Sequence, residues 1–273
     1  MKNFAFRALR KTEKVARRWR LKLEADVARD GARQKERPNT VAEWEKVYLT
    51  PVQSVSALTN EIARTIVDLT APGDVLLETG CGSGVLSAEV ATTGRKIELA
   101  DFSPQILNRA AQLFAMSKLT EPRRTVCDIT KALPWPDRAV DVTWSSGVLE
   151  HWTDDEIRPI VREMARVSRK RVVSFVPYAG CVFYRWGKHV AEAKGEWPYG
   201  REMPRASLRA IFEEAGLVRI QERTLSADEG LYYLHFVDET TQEQARAWWH
   251  SIATEDPIRQ RQGYLLLTVG DVP

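Results

Sequence analysis

The chain has 273 residues, 44% of them hydrophobic and 28% charged, with a formal net charge of +3. These proportions are ordinary for a folded, water-soluble protein and exclude a fibre, a repeat array or a disordered chain. No run of about 18 apolar residues occurs, which excludes a membrane-spanning helix, and MKNFAFRALRKTEK lacks the apolar core of a secretory signal.

Cys81, Cys127 and Cys181 have no metal-like spacing. They fit a reducing, cytoplasmic setting and give no reason to expect a metal site. Charge is unevenly placed: residues 1–40 hold 13 Lys or Arg against 5 Asp or Glu, so the rest of the chain is net acidic. The basic character belongs to an N-terminal extension.

Residues 2–30 contain no proline or glycine and carry Phe4, Ala8, Val15, Trp19, Leu23 and Val27 roughly along one stripe, which predicts a helix. Further helices are expected over Val41 to Val47 and Ser54 to Leu69, the latter stopped by Pro72-Gly73. From Asp74 the texture changes. Short β-rich runs at 75–79, 96–100, 124–128, 140–145 and 171–176 alternate with helical stretches at 83–92, 104–118 and 154–168. That alternation predicts an α/β fold, a mostly parallel sheet covered by helices on both faces. A helix at 205–215, a strand at 217–225, a helix over Thr240 to Thr254 and a last strand at 264–269 complete it. The expected division is a basic helical extension or lid over 1–73 and one domain over 74–273. Cap insertions are expected at about 177–204 and 226–262.

Between the first strand and its helix, VLLETGCGSGVLS places Gly80, Gly82 and Gly84 in a tight turn. Glycine there allows positive φ and a close approach to a ligand, and in an open α/β sheet such turns lie where ligands bind. A dinucleotide fingerprint, G-x-G-x-x-G, needs glycine at position 85, where Val85 stands. The turn also lacks the Gly-Lys-Ser/Thr ending of a P-loop.

The segment E-T-G-C-G-S-G resembles the first motif of class I S-adenosylmethionine-dependent methyltransferases, in the small-molecule, methyltransferase-11-like branch. LADFSPQIL, CDITKALPWPD and VDVTWSSGVLEHW resemble that family's later motifs, in order. The resemblance implies a Rossmann-like seven-stranded sheet and S-adenosyl-L-methionine as cofactor. It implies a cofactor site made of Glu78, Thr79, Gly80, Cys81, Gly82 and Gly84 at the turn, with Asp101 and Phe102 after the second strand. Asp128 and Ile129 follow the third strand, and Ser146 and Gly147 the fourth. Asp101 would accept hydrogen bonds from the ribose hydroxyls and Asp128 from the adenine amino group. The competing reading is that each aspartate only caps a turn.

A protein that binds a sulfonium methyl donor must present an acceptor in line with the sulfur–methyl bond, with a base only where the acceptor starts protonated. His151 is the candidate base, against a structural or cofactor-shell role or an exposed neutral position. Tyr178, Trp197 and Tyr199 are candidate substrate-binding aromatics, against simple packing of the insertion. Trp44 and Tyr48 are read either as part of a lid over the cofactor or as packing between helices.

Methylation of a metabolite or lipid-like acceptor is the leading expectation. An RNA methyltransferase using the basic arm, and a cofactor-binding pseudoenzyme or partner-binding module, stand as alternatives. Residues 1–37 could serve as a solvated helix, lie on an anionic membrane or contact nucleic acid.

Overall fold

The computed structural model describes residues 40–49 and 56–273; the helix expected over 2–30 lies outside the described residues. Helix α1 (Val41–Tyr48) begins on a capping box, in which the Thr40 hydroxyl accepts from the Glu43 amide and the Glu43 side chain accepts from the Thr40 amide. Helix α2 (Ala57–Asp68) buries Ile62, Ala63, Thr65 and Ile66, the residues that recur at helical spacing on one face.

The alternating core follows: β1 (Val75–Thr79), α3 (Val85–Ala91), β2 (Lys96–Asp101), α4 (Pro104–Met116), β3 (Arg123–Val126), β4 (Val140–Ser146), α5 (Asp154–Val167) and β5 (Ser168–Pro177). The strands form a seven-stranded sheet in the order β3-β2-β1-β4-β5-β7-β6. β3, β2, β1, β4 and β5 are parallel. Neighbouring residues Leu76 and Leu77 are both fully buried but enter different apolar clusters, one on each side of the sheet. A strand covered on both faces in this way reads as a continuous apolar run.

After β5 come α6 (Val182–Lys194), α7 (Arg209–Glu214), β6 (Val218–Leu225), a 3₁₀ stretch (Ala227–Phe236), α8 (Glu239–His250), α9 (Pro257–Gln260) and β7 (Leu265–Asp271). β7 lies between β5 and β6 and runs antiparallel to both. Helix α6 and the 3₁₀ stretch fall in the two regions expected as cap insertions and pack on one another so closely that a Cβ on Gly187 would stand 2.0 Å from the Tyr233 carbonyl oxygen.

The boundary expected at residue 73 marks where the sheet starts, not where packing starts. Ile62 and Ile66 belong to the same buried cluster as Leu76, Leu99 and Trp144, and the described residues fall within one compact unit. The physical reason is that α2 supplies the apolar face that covers α3. Among the described residues no helix is long and apolar enough to cross a membrane.

Candidate active site

The order β2-β1-β4 makes the chain leave β1 and β4 toward opposite flanks, and the crevice at their carboxyl ends is the usual ligand position in such sheets. A cleft opens there, lined among others by Gly80, Asp101, Phe102, Asp128, Ile129, Gly147 and His151.

The turn after β1 is built on positive φ at Gly80, Gly82 and Gly84. Gly84 starts α3, where a Cβ would stand 2.6 Å from the Ala110 Cβ and 3.2 Å from its Cα. Glycine is therefore required for α4 to lie close against the turn. Asp101 closes the turn from β2: its Oδ2 accepts from the Gly82 amide at 3.2 Å and its Oδ1 from the Ser103 amide at 3.0 Å. A carboxylate has about four acceptor positions, so Asp101 caps the turn and keeps lone pairs for a ligand in the cleft. Burial pushes it up to about 6, against the pull of its backbone hydrogen bonds.

Asp128 likewise has both functions open to it. One oxygen accepts from the Thr130 amide and hydroxyl at 2.9 and 2.7 Å, and the residue also lines the cleft beside Ile129. The following Leu-Pro-Trp-Pro-Asp loop is held by Arg166. Its guanidinium donates to the carbonyls of Leu133 and Trp135 and to the carboxylates of Asp137 and Glu163.

Glu78, Thr79, Cys81, Gly82, Gly84 and Ser146 are not in the cleft lining. Glu78 lies beneath the turn, accepting from the Ser87 hydroxyl at 2.5 Å, and burial pushes it up to about 8. The Thr79 hydroxyl donates to the Trp144 carbonyl at 3.2 Å, tying β1 to β4. Cys81 is buried and its thiol is raised by that burial.

His151 ends a 3₁₀ turn (Leu149–His151) after β4 and is 4% exposed, which removes the exposed reading. Its Nδ1 is 2.6 Å from the Arg201 carbonyl; a carbonyl only accepts, so Nδ1 carries the proton. Burial lowers its pKa to about 4, and the Trp44 ring meets it edge to face at 4.6 Å.

Trp44 and Tyr48 both line the cleft, so α1 forms part of its wall. The helix is tied down by the Ser103 hydroxyl donating to Glu45 at 2.6 Å and Arg109 donating to the Leu49 carbonyl at 3.2 Å. Tyr178, Trp197 and Tyr199 do not line this cleft. Trp197 is 4% exposed, and Tyr178 and Tyr199 pack against the same buried cluster.

The lining residues that sequence reasoning missed are Ile106, Cys127, Val148 and Trp152. Cys127, Val148 and Trp152 stand next to Asp128, Gly147 and His151 in the chain, and that adjacency was the signal available. Among the described residues no group of three or more His, Cys, Asp or Glu side chains converges in the manner of a metal centre.

Residues 76–171 match the methyltransferase domain family. The chain is 26% identical over 159 residues to the malonyl-[acyl-carrier protein] O-methyltransferase of Serratia marcescens, covering 57% of this chain and 59% of that one. It is 31% identical over 129 residues to an uncharacterized methyltransferase of Schizosaccharomyces pombe, covering 46% and 47%. The chain thus spans roughly half of the curated relatives it matches.

Among solved structures, magnesium protoporphyrin IX methyltransferase from Synechocystis, with bound S-adenosylhomocysteine, superposes with TM-score 0.54 at 15% identity, over 85% of this chain and 94% of that one. Geranyl diphosphate methyltransferase in complex with S-adenosylmethionine gives 0.52 at 15%, over 80% and 85%. The strand order, the glycine turn closed by Asp101 and the domain match agree, and residues 76–171 carry a methyltransferase domain within a sheet of the class I kind.

Proposed function

We propose that the chain is an enzyme that transfers a methyl group from S-adenosylmethionine to a small-molecule acceptor. The observation that carries this is the Asp101 carboxylate, which braces the glycine turn and lines the same cleft as Gly80, Asp128, Ile129 and Gly147. These residues suit the cofactor. Asp101 offers acceptor lone pairs to a ribose diol, Ile129 an apolar face to a purine, and Asp128 an acceptor to an exocyclic amine. Gly147, with φ +68, lets the backbone approach the methionine end closely.

When bound, the sulfonium supplies an electrophilic methyl group. The chain's own residues bind and orient it and keep water out. Trp44 and Tyr48 line the cleft from α1, and His151, neutral and hydrogen-bonded to the Arg201 carbonyl, holds the segment after β4 in place. With its pKa near 4, His151 is a weak base, and we assign it a positioning role. The acceptors named for similar proteins, malonyl-[acyl-carrier protein], magnesium protoporphyrin IX and geranyl diphosphate, support a metabolite or carrier-bound acceptor over a polymer.

Isothermal calorimetry tests the reading. S-adenosylhomocysteine is expected to bind the intact protein, with affinity reduced more than tenfold by Asp101→Ala. No binding to the intact protein would overturn the proposal.

A further inference from the structure

Helix α1 brings to the donor cleft a side-chain hydroxyl that the cofactor residues described above do not include. Tyr48 lines the cleft, and its Cε1 and Cζ lie 2.7 and 2.9 Å from where a Cβ on Gly82 would stand. Its ring stacks on Trp44, 5.8 Å between centres and 22° between planes, and the Trp44 ring in turn meets His151. The Ser103 hydroxyl, donating to Glu45, pins the helix to the start of α4. The phenol is therefore held over the glycine turn.

The Tyr48 hydroxyl is near enough to Asp101 and Glu150 for both carboxyls to oppose its ionisation. Asp101 marks the ribose end of the cleft. Glu150 Oε1 stands 3.6 Å from where a Cβ on Gly147 would be, at the methionine end. Burial and these carboxyls hold the phenol well above its ordinary value, so it keeps its proton and can donate it in a hydrogen bond. Among the described residues it has no hydrogen-bond partner.

Other donors around the turn are already engaged. The Gly80 and Cys81 amides donate to the Ala100 carbonyl at 2.8 and 3.1 Å, the Gly84 amide to the Cys81 carbonyl at 3.0 Å, and the Gly147 amide to the Phe175 carbonyl at 2.9 Å. The Gly82 amide serves Asp101, and His151 Nδ1 serves the Arg201 carbonyl. Asp101 and Asp128, when ionised, only accept. S-adenosylmethionine has hydrogens for them in its ribose hydroxyls and adenine amine. Its amino-acid end carries a carboxylate, which also only accepts, and a carboxylate taken from water without a donor is costly.

We propose that Tyr48 is a cofactor-binding residue whose hydroxyl donates a hydrogen bond to the carboxylate at the amino-acid end of S-adenosylmethionine. The proposal rests on the methyl-transfer reading of the cleft. It makes α1 part of the cofactor site, with the ribose received from β2 and the amino-acid end from a helix that precedes the sheet. A hydrogen bond to an ionised acceptor is among the stronger kinds. Fixing that end also fixes the direction in which the sulfur presents its methyl group.

The test uses the full chain, the variant Tyr48→Phe, and two ligands that differ only in the carboxylate: S-adenosylhomocysteine and its decarboxylated analogue. Phenylalanine keeps the ring against Gly82 and Trp44 and removes the hydroxyl alone. By calorimetry the variant is expected to bind S-adenosylhomocysteine about tenfold more weakly than the parent or worse, and the decarboxylated analogue with less than about a twofold change. Retained affinity for the analogue also reports that the variant is folded. Unchanged affinity for S-adenosylhomocysteine would overturn the proposal and leave the carboxylate to another donor in the lining, such as the Trp152 indole. Equal losses for the two ligands would overturn it too, because the hydroxyl would then serve another part of the cofactor. Both outcomes leave the methyltransferase reading standing; a parent that binds neither ligand would overturn that reading and the proposal together.

Discussion

Tyr48 lies directly against Gly82, so that a Cβ on the glycine would stand 2.7 Å from the tyrosine Cε1. The contact joins a helix that precedes the sheet to the turn that defines the cleft. Its character differs from that of Gly84, which faces the Cα and Cβ of Ala110 on α4.

The two glycines should therefore respond differently to alanine. Both substitutions incur backbone strain of about 1 kcal/mol at positive φ. Gly82→Ala can be accommodated by rotation of Tyr48, whereas Gly84→Ala must move a helix and incurs a further ~1–3 kcal/mol of overpacking. Urea denaturation of the two variants should rank Gly84→Ala as clearly the less stable. Equal midpoints would show that α4 gives way more easily than its packing indicates.

Glu78 makes the protein's stability fall with rising pH. Its folded value of about 8 lies above its ordinary 4.5, so between these values the folded chain holds a proton that the unfolded chain releases. Stability from this group is full below about pH 4.5 and is lost as pH rises through about 8. Glu78→Gln can still accept from Ser87 and removes the titration. Its advantage over the parent should grow from near zero at pH 5 to on the order of 1–3 kcal/mol at pH 8, read from thermal melts across that range. A constant difference between the two proteins would contradict the buried-acid account.

His151 acts in the opposite sense. Its folded value of about 4 lies below the ordinary 6.5, so the unfolded chain takes up a proton that the folded chain refuses. Its contribution is present above about pH 6.5 and is lost as pH falls toward 4. The imidazole C–H resonances of His151 should stay unshifted between pH 8 and 5. A titration centred near 6.5 would restore the catalytic-base reading.

Cofactor affinity should carry the signature of Asp101. If its carboxylate receives the ribose, S-adenosylhomocysteine binding weakens as pH falls through about 6, approaching tenfold per pH unit below that value. Asp101→Asn should bind more weakly and show a flat profile over the same range. A parent profile that is equally flat would place the ribose contact elsewhere.

Much of this arrangement was legible because it is local. β1 was expected at 75–79 and occurs at Val75–Thr79, and α4 begins at Pro104, where the helical run was expected to begin. Buried strands and capped helices announce themselves within a few residues. Asp101, Asp128 and Gly147 could be placed around one cleft because each stands at or just beyond the carboxyl end of a strand, and the topology brings those ends together. Contacts between distant segments were not legible, for the converse reason. The Met203 amide donates to the Glu150 carbonyl at 2.7 Å and His151 Nδ1 to the Arg201 carbonyl at 2.6 Å, and each joins residues far apart in the chain. The position of β7 between β5 and β6 was equally hidden, since an apolar run does not state its neighbours.

Arg166 offers a check on the loop after β3. Lysine would keep the charge but lose the planar fork that reaches two carbonyls and two carboxylates at once. Arg166→Lys should destabilise the fold by about 1–2 kcal/mol, measured by denaturant midpoint, and should loosen the loop that ends at Asp137. An unchanged midpoint would show that the Glu163 and Asp137 pairings alone hold the loop.

The pairing of Leu225 with Leu265 has a consequence for how such enzymes diversify. Residues 226–264 leave β6 and return to β7 at a single rung of the ladder, so the sheet experiences that whole segment as a hairpin connection. A cap attached in this way is a cassette. It can be lengthened, shortened or exchanged for another with the donor cleft left untouched, and a new acceptor could be acquired without re-inventing the machinery that holds the methyl group.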